Sequence, residues 1–254
     1  MAGLTAAVPD VVTAMIRAAE AAGEVAMRYY RGGFEVTIKP DQTPVTQADR
    51  EAEQAIKAIL RRACPDHGFL GEEGPKERRF IIDPIDGTKN FIRRVPIWAV
   101  LIGLEEAGRV TAGVVLNPAS GEMLWAHRGD GAWDRDGRLR VSDCGRLAEA
   151  TVLHSDLHLL RQGPHWDAFL RVVDGSRRSR GFGDYYGYGL VAAGKAELYL
   201  EVDLKPWDVA PMQVLLEEAG GRLTDFSGRA TIYDGSVLAT NGRLHEQILA
   251  LLRR

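Results

Sequence analysis

The stretch FIIDPIDGTKNF, residues 80–91, holds the densest group of functional side chains in the chain. Its apolar start, Phe80-Ile81-Ile82, is typical of a short buried strand that delivers Asp83 at its carboxyl end. Pro84 cannot donate to a sheet ladder and bends the chain, so Asp86 can return toward the same point. We therefore expect two carboxylates to lie close together at the end of a buried strand.

Two crowded carboxylates repel each other, and burying them without a partner costs a large free energy. A divalent cation removes that cost, and a site that offers only oxygen ligands favours Mg²⁺ or Mn²⁺ over Zn²⁺. The next residues, Gly87-Thr88, can begin a helix whose free N–H groups bind a phosphate. The alternative for this segment is an ordinary Asp-Gly turn in which Asp83 acts as a cap.

Acidic residues in three other segments can join this pair. Gly71-Glu72-Glu73-Gly74 suits a carboxylate held at a strand end, although the same pattern is typical of a solvated turn. Asp208 precedes a predicted apolar helix, and Asp49 lies near the start of another. Either aspartate can be an ordinary N-cap, and for Asp208 capping is compatible with metal binding.

The periodicity of apolar residues divides the rest of the chain into helices and strands. Helices are predicted at 8–28 with Asp10 as N-cap, at 48–60, at 166–173, from near 185, at 209–219 and from 244. Strands are predicted at 34–38, 80–82, 98–104, 110–116, 123–126, 131–134, 151–153, 198–201, 222–225 and 237–239, with a loop at 39–44. Helices that alternate with strands are typical of layers of helices on a sheet. We therefore expect an α/β fold, with an N-terminal α+β half at 1–145 and a C-terminal α/β half at 146–254 in one compact unit.

Composition excludes several classes of protein. A formal net charge of −3 over 254 residues gives no basic face for nucleic acid or an anionic membrane. We find no secretory signal and no apolar run long enough to span a bilayer. The two cysteines, Cys64 and Cys144, lack metal-ligand spacing, so reduced thiols in a cytoplasmic protein are expected.

Taken in order, these motifs resemble the inositol monophosphatase-like family of lithium-sensitive, Mg²⁺-dependent phosphatases. The resemblance runs from Thr43 to the C-terminal region, where it includes EEAGG at 217–221 and SVLATN at 236–241. It implies the α-β-α-β-α sandwich of the sugar phosphatase fold, a small phosphomonoester as substrate and a homodimer.

The resemblance also implies a set of metal ligands. Glu72, Asp83 and the Ile85 carbonyl would hold a first Mg²⁺, and Asp83 would bridge to a second ion bound by Asp86 and Asp208. Glu72 would contact a weaker third ion through water. Two or three Mg²⁺ ions are therefore expected, and Mn²⁺ can substitute.

Catalytic and phosphate-binding roles are implied in the same way. Thr88, supported by Asp49, would act with Glu72 to orient the water that attacks phosphorus. The backbone N–H groups of Gly87 and Thr88 would hold the phosphate oxygens. Hydrolysis of a phosphomonoester is among the slowest reactions known in water, and cations can speed it because they neutralise the phosphate and stabilise the departing alkoxide.

The identity of the substrate depends on the stretch RGFGDYYGYG at 180–189, which resembles the histidinol-phosphate phosphatase branch of the family. Asp184 and Glu201 can pair with the ammonium of histidinol phosphate, whereas inositol phosphate offers only hydroxyls beyond its phosphate. Asp184 can instead cap the helix that begins near Tyr185, and Glu201 falls where the family commonly contacts the leaving group.

We expect a histidinol-phosphate phosphatase of histidine biosynthesis. Inositol-1-phosphate phosphatase and a broad small sugar-phosphate phosphatase are the alternatives within the family. From a different class, the chain can be a catalytically silent protein that binds a phosphometabolite, although the intact set of acids argues against this.

Overall fold

A computed structural model describes residues 8–33, 36–38, 44–72 and 77–253. Within these ranges the α-helices are α1 (Asp10–Arg31), α2 (Gln47–Ala63), α3 (Thr88–Ile92), α4 (Leu157–Gln162), α5 (Trp166–Asp174), α6 (Asp184–Ala192), α7 (Pro206–Glu218) and α8 (His245–Leu252). The strands are β1 (Val36–Ile38), β2 (Pro44–Thr46), β3 (Gly68–Phe69), β4 (Arg78–Asp86), β5 (Ala99–Glu106), β6 (Arg109–Asn117), β7 (Glu122–His127), β8 (Gly131–Asp134), β9 (Thr151–His154), β10 (Arg178–Gly181), β11 (Leu198–Val202), β12 (Arg222–Thr224) and β13 (Ser236–Thr240).

A six-stranded sheet in the order β3-β4-β5-β6-β7-β8 forms the first half of the structure, and only its β3–β4 pair is parallel. Its central hairpin turns on Ala107 and Gly108, whose φ angles of 49° and 78° suit the right-handed twist of the flanking strands. The pairing of β4 with β5 shifts register between Asp83 and Asp86. That irregularity lies at the Pro84 predicted to interrupt the ladder.

A five-stranded sheet in the order β10-β9-β11-β13-β12 forms the second half. Strand β9 is parallel to β10 and β11, whereas β13 is antiparallel to both of its neighbours. Neither β10 nor α4 was predicted. The β10 sequence, Arg178-Ser179-Arg180-Gly181, contains no apolar residue, so no alternating pattern marks it as a strand.

Successive side chains of a strand point to opposite faces of its sheet, so apolar residues on both faces allow helices to pack on either side. On β5, Val100 and Ile102 pack with α1 and α2, while Leu101 faces the apolar side chains of α6 and α7. The far face of the five-stranded sheet is covered by α5 and α8. The predicted α-β-α-β-α sandwich is thereby confirmed. No helix of the described ranges has the length and apolarity required to cross a membrane.

Helix α7 lies unusually close to the six-stranded sheet. A Cβ atom added to Gly113 would lie 2.7 Å from the Pro211 carbonyl oxygen, and one added to Gly103 would lie 2.8 Å from the Ala210 Cβ. Real Cβ atoms do not approach other atoms this closely, so glycine at both positions lets the helix backbone rest on the strands. The contact fixes the height of α7, which carries Asp208, above the sheet.

Several predicted details differ from the structure or lie outside it. Asp10 is the first residue of α1 and not its N-cap, because Pro9 holds that position. Pro44, predicted in a loop, begins β2. The other loop residues, 39–43, and the first two residues of the strand predicted at 34–38 lie outside the described ranges. The division at 145 falls between the two large sheets and stays a prediction.

His245 gives the folded chain a pH-dependent stability. Its fully buried ring contacts the hydroxyls of Thr224 and Thr240 at 3.0 and 2.9 Å. Burial, reinforced by the charge of Arg222, lowers the pKa of His245 to about 4 from its usual 6.5. Because the folded state favours the neutral ring, this stability is present above about pH 6.5 and is lost as the pH falls toward 4.

As the pH falls from 7 to 5, the unfolded chain takes up a proton at His245 that the folded chain does not. We expect this to lower the free energy of unfolding by about 2 kcal/mol. Urea unfolding of the wild type and of His245→Gln at both values measures this contribution as the difference between their pH dependences. An equal loss in the two proteins would show that other groups cause the acid sensitivity.

Candidate active site

Three aspartates form an acidic cluster where β4 and α7 meet. Ligand oxygens of Asp83, Asp86 and Asp208 all lie within 4.8 Å of one another, with Asp86 buried and the other two half-buried. Asp83 and Asp86 flank the register shift in β4, which brings the two carboxylates to one point. Asp208 projects from the first turn of α7.

Backbone N–H groups hold each of the three carboxylates. Asp83 accepts from the N–H of Ile85 at 3.0 Å, and Asp86 from that of Tyr185 at 2.8 Å. The N–H of Lys205 donates to Asp208 at 2.7 Å, and Lys205 is the N-cap of α7. Asp208 is therefore not the N-cap itself, the alternative left open above: the helix starts at Pro206, and the Asp208 carboxylate bonds back to the N-cap in a capping box.

The negative charge of the cluster has little compensation among the described residues, where Lys205 is the cation that acts on Asp208. Within the described part of the chain, none of the three carboxylates forms an ion pair with a lysine or arginine. Burial raises the pKa of Asp83 well above its usual value, and the charges of Asp208 and Asp49 raise it further. Burial also raises the pKa of Asp86 and Asp208. A buried group of oxygen donors with this charge fits a hard divalent cation such as Mg²⁺.

Glu72 and Asp49, two further acids of the expected site, occupy different environments. Asp49 is buried on α2, and its charge reaches Asp83. The Glu72 carboxylate lies outside the acidic cluster. It pairs with Arg61 at 2.7 Å and with Lys57 at 3.2 Å, with 38% of the side chain exposed. Its role as metal ligand and catalytic residue stays a prediction.

Gly87 and Thr88 link β4 to α3. Gly87 has left-handed backbone angles, φ 77° and ψ 37°, and stands at the N-cap of α3. The Thr88 hydroxyl donates to the Ile85 carbonyl at 2.9 Å, so this carbonyl already serves as an acceptor at the edge of the cluster. The turn and the helix start proposed as alternatives therefore coexist, and Asp83 also bonds locally, two residues along.

Asp184 lies beside this turn. It is the first residue of α6, with φ 56°, and the N-cap is Gly183, so the suggested capping role was wrong. Its carboxylate instead accepts from the side-chain amide of Asn90 at 2.8 Å, and the same Asn90 nitrogen donates to the Ile97 carbonyl at 2.9 Å. Burial, reinforced by the charge of Asp208, raises the pKa of Asp184 to about 6.

Glu201, on β11, adds a carboxylate that is more deeply buried than that of Asp184. Its Oε2 and the buried hydroxyls of Tyr188 and Tyr199 make no hydrogen bond of normal geometry in the described part of the chain, although both hydroxyls lie close enough to the carboxylate to lower its pKa. Burial first, and the charge of Asp184 second, raise the pKa of Glu201 to about 8. The raised pKa values show that the ionised forms of Asp184 and Glu201 lack a stabilising cation, and Glu201 is largely protonated at neutral pH.

Sequence reasoning assigned no role to Asn90 or to the backbone of Tyr185. Both act across the fold, since Asn90 reaches Asp184 over 94 residues and Tyr185 reaches Asp86 over 99. Asn90 stood within the quoted motif, but no local pattern indicates which distant group its amide meets.

Comparison with known proteins gives a consistent result. The family model described as "Inositol monophosphatase family" matches residues 8–254. A protein of Mycobacterium tuberculosis named histidinol-phosphatase is 39% identical, covering 96% of this chain and 97% of its own. A protein of Mesorhizobium japonicum named inositol-1-monophosphatase is 36% identical, over 94% and 95%. The crystal structure of extragenic suppressor protein suhB from Bartonella henselae superposes with a TM-score of 0.89 at 34% identity, over 97% and 99%.

Proposed function

The chain belongs to the inositol monophosphatase family and is a phosphomonoester hydrolase, and on that premise we propose that it cleaves L-histidinol phosphate to L-histidinol and phosphate, in histidine biosynthesis. The observation that carries the proposal is a pair of carboxylates beside the acidic cluster, the half-buried Asp184 and the buried Glu201. A cytoplasmic location, predicted from the two cysteines, and a homodimer, implied by the family resemblance, stay predictions.

The acidic cluster supports the metal part of the proposal. Asp83, Asp86 and Asp208 would hold Mg²⁺, with Glu72 and the Ile85 carbonyl as the remaining predicted ligands. When bound, the ions neutralise the phosphate, lower the pKa of a water molecule and stabilise the departing alkoxide.

The chain's own groups position the substrate and the water. Backbone N–H groups of Gly87 and Thr88, at the start of α3, would bind the phosphate oxygens. The hydroxyl of Thr88 would orient the attacking water together with Asp49 and Glu72. The structure already places Thr88 against the Ile85 carbonyl, one residue from Asp86.

Charge favours a cationic leaving group. Burial and mutual repulsion raise the pKa values of Asp184 and Glu201, and an ammonium group bound beside them would restore their ionised forms, whereas the hydroxyls of a polyol would not. An amide N–H of Asn90 holds Asp184 at 2.8 Å, so this carboxylate is fixed before the substrate arrives. We therefore place the ammonium of histidinol phosphate at these two carboxylates.

Phosphate release from L-histidinol phosphate and from inositol 1-phosphate, measured side by side with Mg²⁺, tests the substrate. We expect kcat/KM to favour histidinol phosphate by about a hundredfold, which corresponds to about 3 kcal/mol. Asp184→Asn should reduce kcat/KM for histidinol phosphate by at least about tenfold more than for inositol 1-phosphate, because the amide lacks the charge that pairs with the ammonium.

Glu197→Gln serves as the matched control, since Glu197 is also partly buried but bonds to Ser142 and to the Thr151 backbone, away from the cluster. It should leave the ratio of the two substrates unchanged. If Asp184→Asn loses kcat/KM equally on both substrates, Asp184 has a structural role. A preference for inositol 1-phosphate would keep the phosphatase chemistry and overturn the choice of substrate.

Removal of divalent ions tests the metal part separately. Dialysis against a chelator should abolish turnover on both substrates, and Mg²⁺ should restore it, because the phosphate charge is otherwise unscreened. Li⁺ at tens of millimolar is expected to inhibit, as the family resemblance implies. Full activity in the chelated protein would contradict the assignment of the acidic cluster as a metal centre.

A further inference from the structure

Ser155 is the residue that follows strand β9, at the carboxyl end of its parallel pair with β11. Its N–H donates to the Leu200 carbonyl at 3.2 Å, so the ladder continues one residue beyond the pair of His154 and Leu200. Because side chains alternate along a strand, Ser155 shares the face of Leu153, which packs in the layer between the two sheets. Ser155 therefore stands beside Glu201 of the neighbouring strand, on the same face of the sheet.

The side-chain oxygen of Ser155 has no partner within the described part of the chain. Its Oγ is buried and makes no hydrogen bond there. The hydroxyls of Tyr188 and Tyr199 also lack a bond of normal geometry, but both act on Glu201, and no such interaction reaches the Ser155 hydroxyl. A buried hydroxyl without a partner destabilises the chain unless a ligand supplies that partner. The Ser155 hydroxyl is therefore available to a bound molecule.

The start of α6 lies against Ser155 on its other side. A Cβ atom added to Gly183 would lie 3.7 Å from the Ser155 Cα and 3.8 Å from its Cβ, which is van der Waals contact. Gly183 is the N-cap of α6 and directly precedes Asp184. The Ser155 hydroxyl thus lies close to both carboxylates that we assign to the ammonium of the substrate. Ligands of α/β folds commonly bind at the carboxyl ends of parallel strands, which is where this hydroxyl stands.

We propose that the Ser155 hydroxyl binds the imidazole ring of histidinol phosphate and thereby helps to select this substrate, an inference that rests on the proposed function. With the phosphate at the acidic cluster and the ammonium at Asp184 and Glu201, the imidazole is the remaining polar group of the substrate. A neutral imidazole has one N–H donor and one acceptor nitrogen, and a hydroxyl can serve either of them.

The spacing of the two strands suits the spacing of the two substrate groups. The amino group and the imidazole of histidinol stand on adjacent carbon atoms, so they lie close to each other in any conformation. Neighbouring strands are about 4.8 Å apart, and Glu201 and Ser155 occupy the same level of β11 and β9. An ammonium at Glu201 therefore leaves the ring within reach of Ser155, whose Oγ can turn about a single bond to meet it.

The phosphate ester of L-phenylalaninol tests the proposal, because it has the same ammonium and phosphate but a ring without hydrogen-bonding atoms. With Mg²⁺ present, the wild type should favour histidinol phosphate over this ester by at least about tenfold in kcat/KM. Ser155→Ala should lower kcat/KM for histidinol phosphate by about five- to tenfold, the effect of one lost hydrogen bond. It should change kcat/KM for the phenylalaninol ester by less than about twofold, since that ring makes no bond to the hydroxyl.

Ser142→Ala is the matched control, since Ser142 is also half-buried but its hydroxyl has partners. It donates to Glu197 at 2.9 Å and accepts from the Asn241 amide at 3.1 Å. Glu197 bonds in turn to the N–H of Thr151, at the opposite end of β9 from Ser155. Ser142→Ala should leave the ratio of the two esters unchanged and lower the Tm. Ser155→Ala should keep the Tm or raise it, because it removes a hydroxyl that has no partner in the free chain.

Inhibition of the wild type by the two free alcohols keeps the test informative if Ser155→Ala does not fold. L-histidinol should inhibit with a Ki at least about tenfold lower than that of L-phenylalaninol, and equal inhibition would overturn the inference.

The two proposals fail in different ways. If the wild type prefers histidinol phosphate to inositol 1-phosphate but Ser155→Ala leaves the ratio of the two esters unchanged, the role of Ser155 is wrong and the proposed function stands. If the wild type does not cleave histidinol phosphate, the proposed function is wrong and the role of Ser155 falls with it.

Discussion

Replacement of Asp83 by asparagine should lower kcat by about a thousandfold or more, because it removes one of three charges that the acidic cluster offers to its cations. The fold should survive the change. Burial and the charges of Asp208 and Asp49 raise the pKa of Asp83, so at neutral pH its ionised form destabilises the metal-free chain. We therefore expect the metal-free Asp83→Asn variant to unfold at the same temperature as the wild type or at a higher one.

Thermal unfolding with and without Mg²⁺ separates these effects. Mg²⁺ should raise the Tm of the wild type and have a much smaller effect on Asp83→Asn, since only a folded chain with all three carboxylates binds the ion well.

Asp225→Asn provides the matched control. Asp225 is also fully buried, but it accepts hydrogen bonds from Ser227 and Arg229 away from the cluster. This control should lose about 1–3 kcal/mol of stability and keep its kcat. Normal turnover by Asp83→Asn would reject the acidic cluster as the reacting centre.

Gly113→Ala should destabilise the chain by about 2–3 kcal/mol and reduce kcat by at least about tenfold. The added Cβ would lie 2.7 Å from the Pro211 oxygen and 2.8 Å from its Cα, both backbone atoms that cannot turn aside. Relief of that clash requires α7 to move away from the sheet, and Asp208 moves with it. Catalysis is sensitive to such displacements because the three carboxylates must converge within 4.8 Å.

Gly145→Ala is the control, because nothing lies within 4 Å of its Cβ position. It should change stability by no more than about 0.5 kcal/mol. Urea unfolding and steady-state kinetics on the same three proteins measure both quantities. A Gly113→Ala variant that is destabilised yet fully active would show that Asp208 keeps its position without the contact.

The layered fold could be predicted from the sequence because the period of the apolar residues in the long helices and strands matches the faces that tertiary packing buries. The bulged end of β4 followed from Pro84, whose missing N–H interrupts pairing in any context. The β10 strand went unpredicted because an edge strand of arginine, serine and glycine has no buried face. Its pairing with β9 comes from backbone hydrogen bonds, which leave no mark on the side-chain pattern.

The candidate site was predictable where one segment supplied the chemistry. Asp83 and Asp86 follow from twelve contiguous residues, whereas Asp208 joined them through the family resemblance. The Asn90 contact to Asp184 could not be predicted, since it depends on how two helices that are distant in sequence, α3 and α6, meet. The capping roles suggested for Asp184 and Asp208 failed because helix boundaries differ by a few residues between pattern and structure.

The order of the layers also bears on how the chain emerges during synthesis. The six-stranded sheet is complete at Asp134, yet the helices that cover its second face end only with α7 at Glu218. At about 5–20 residues per second, the intervening 84 residues take roughly 4 to 17 s. For that time an apolar sheet surface stays open to water, and the nascent chain lacks the third carboxylate until Asp208 is added. The demand on chaperones should therefore peak before the enzyme has any activity, and truncated chains that end near residue 145 should aggregate.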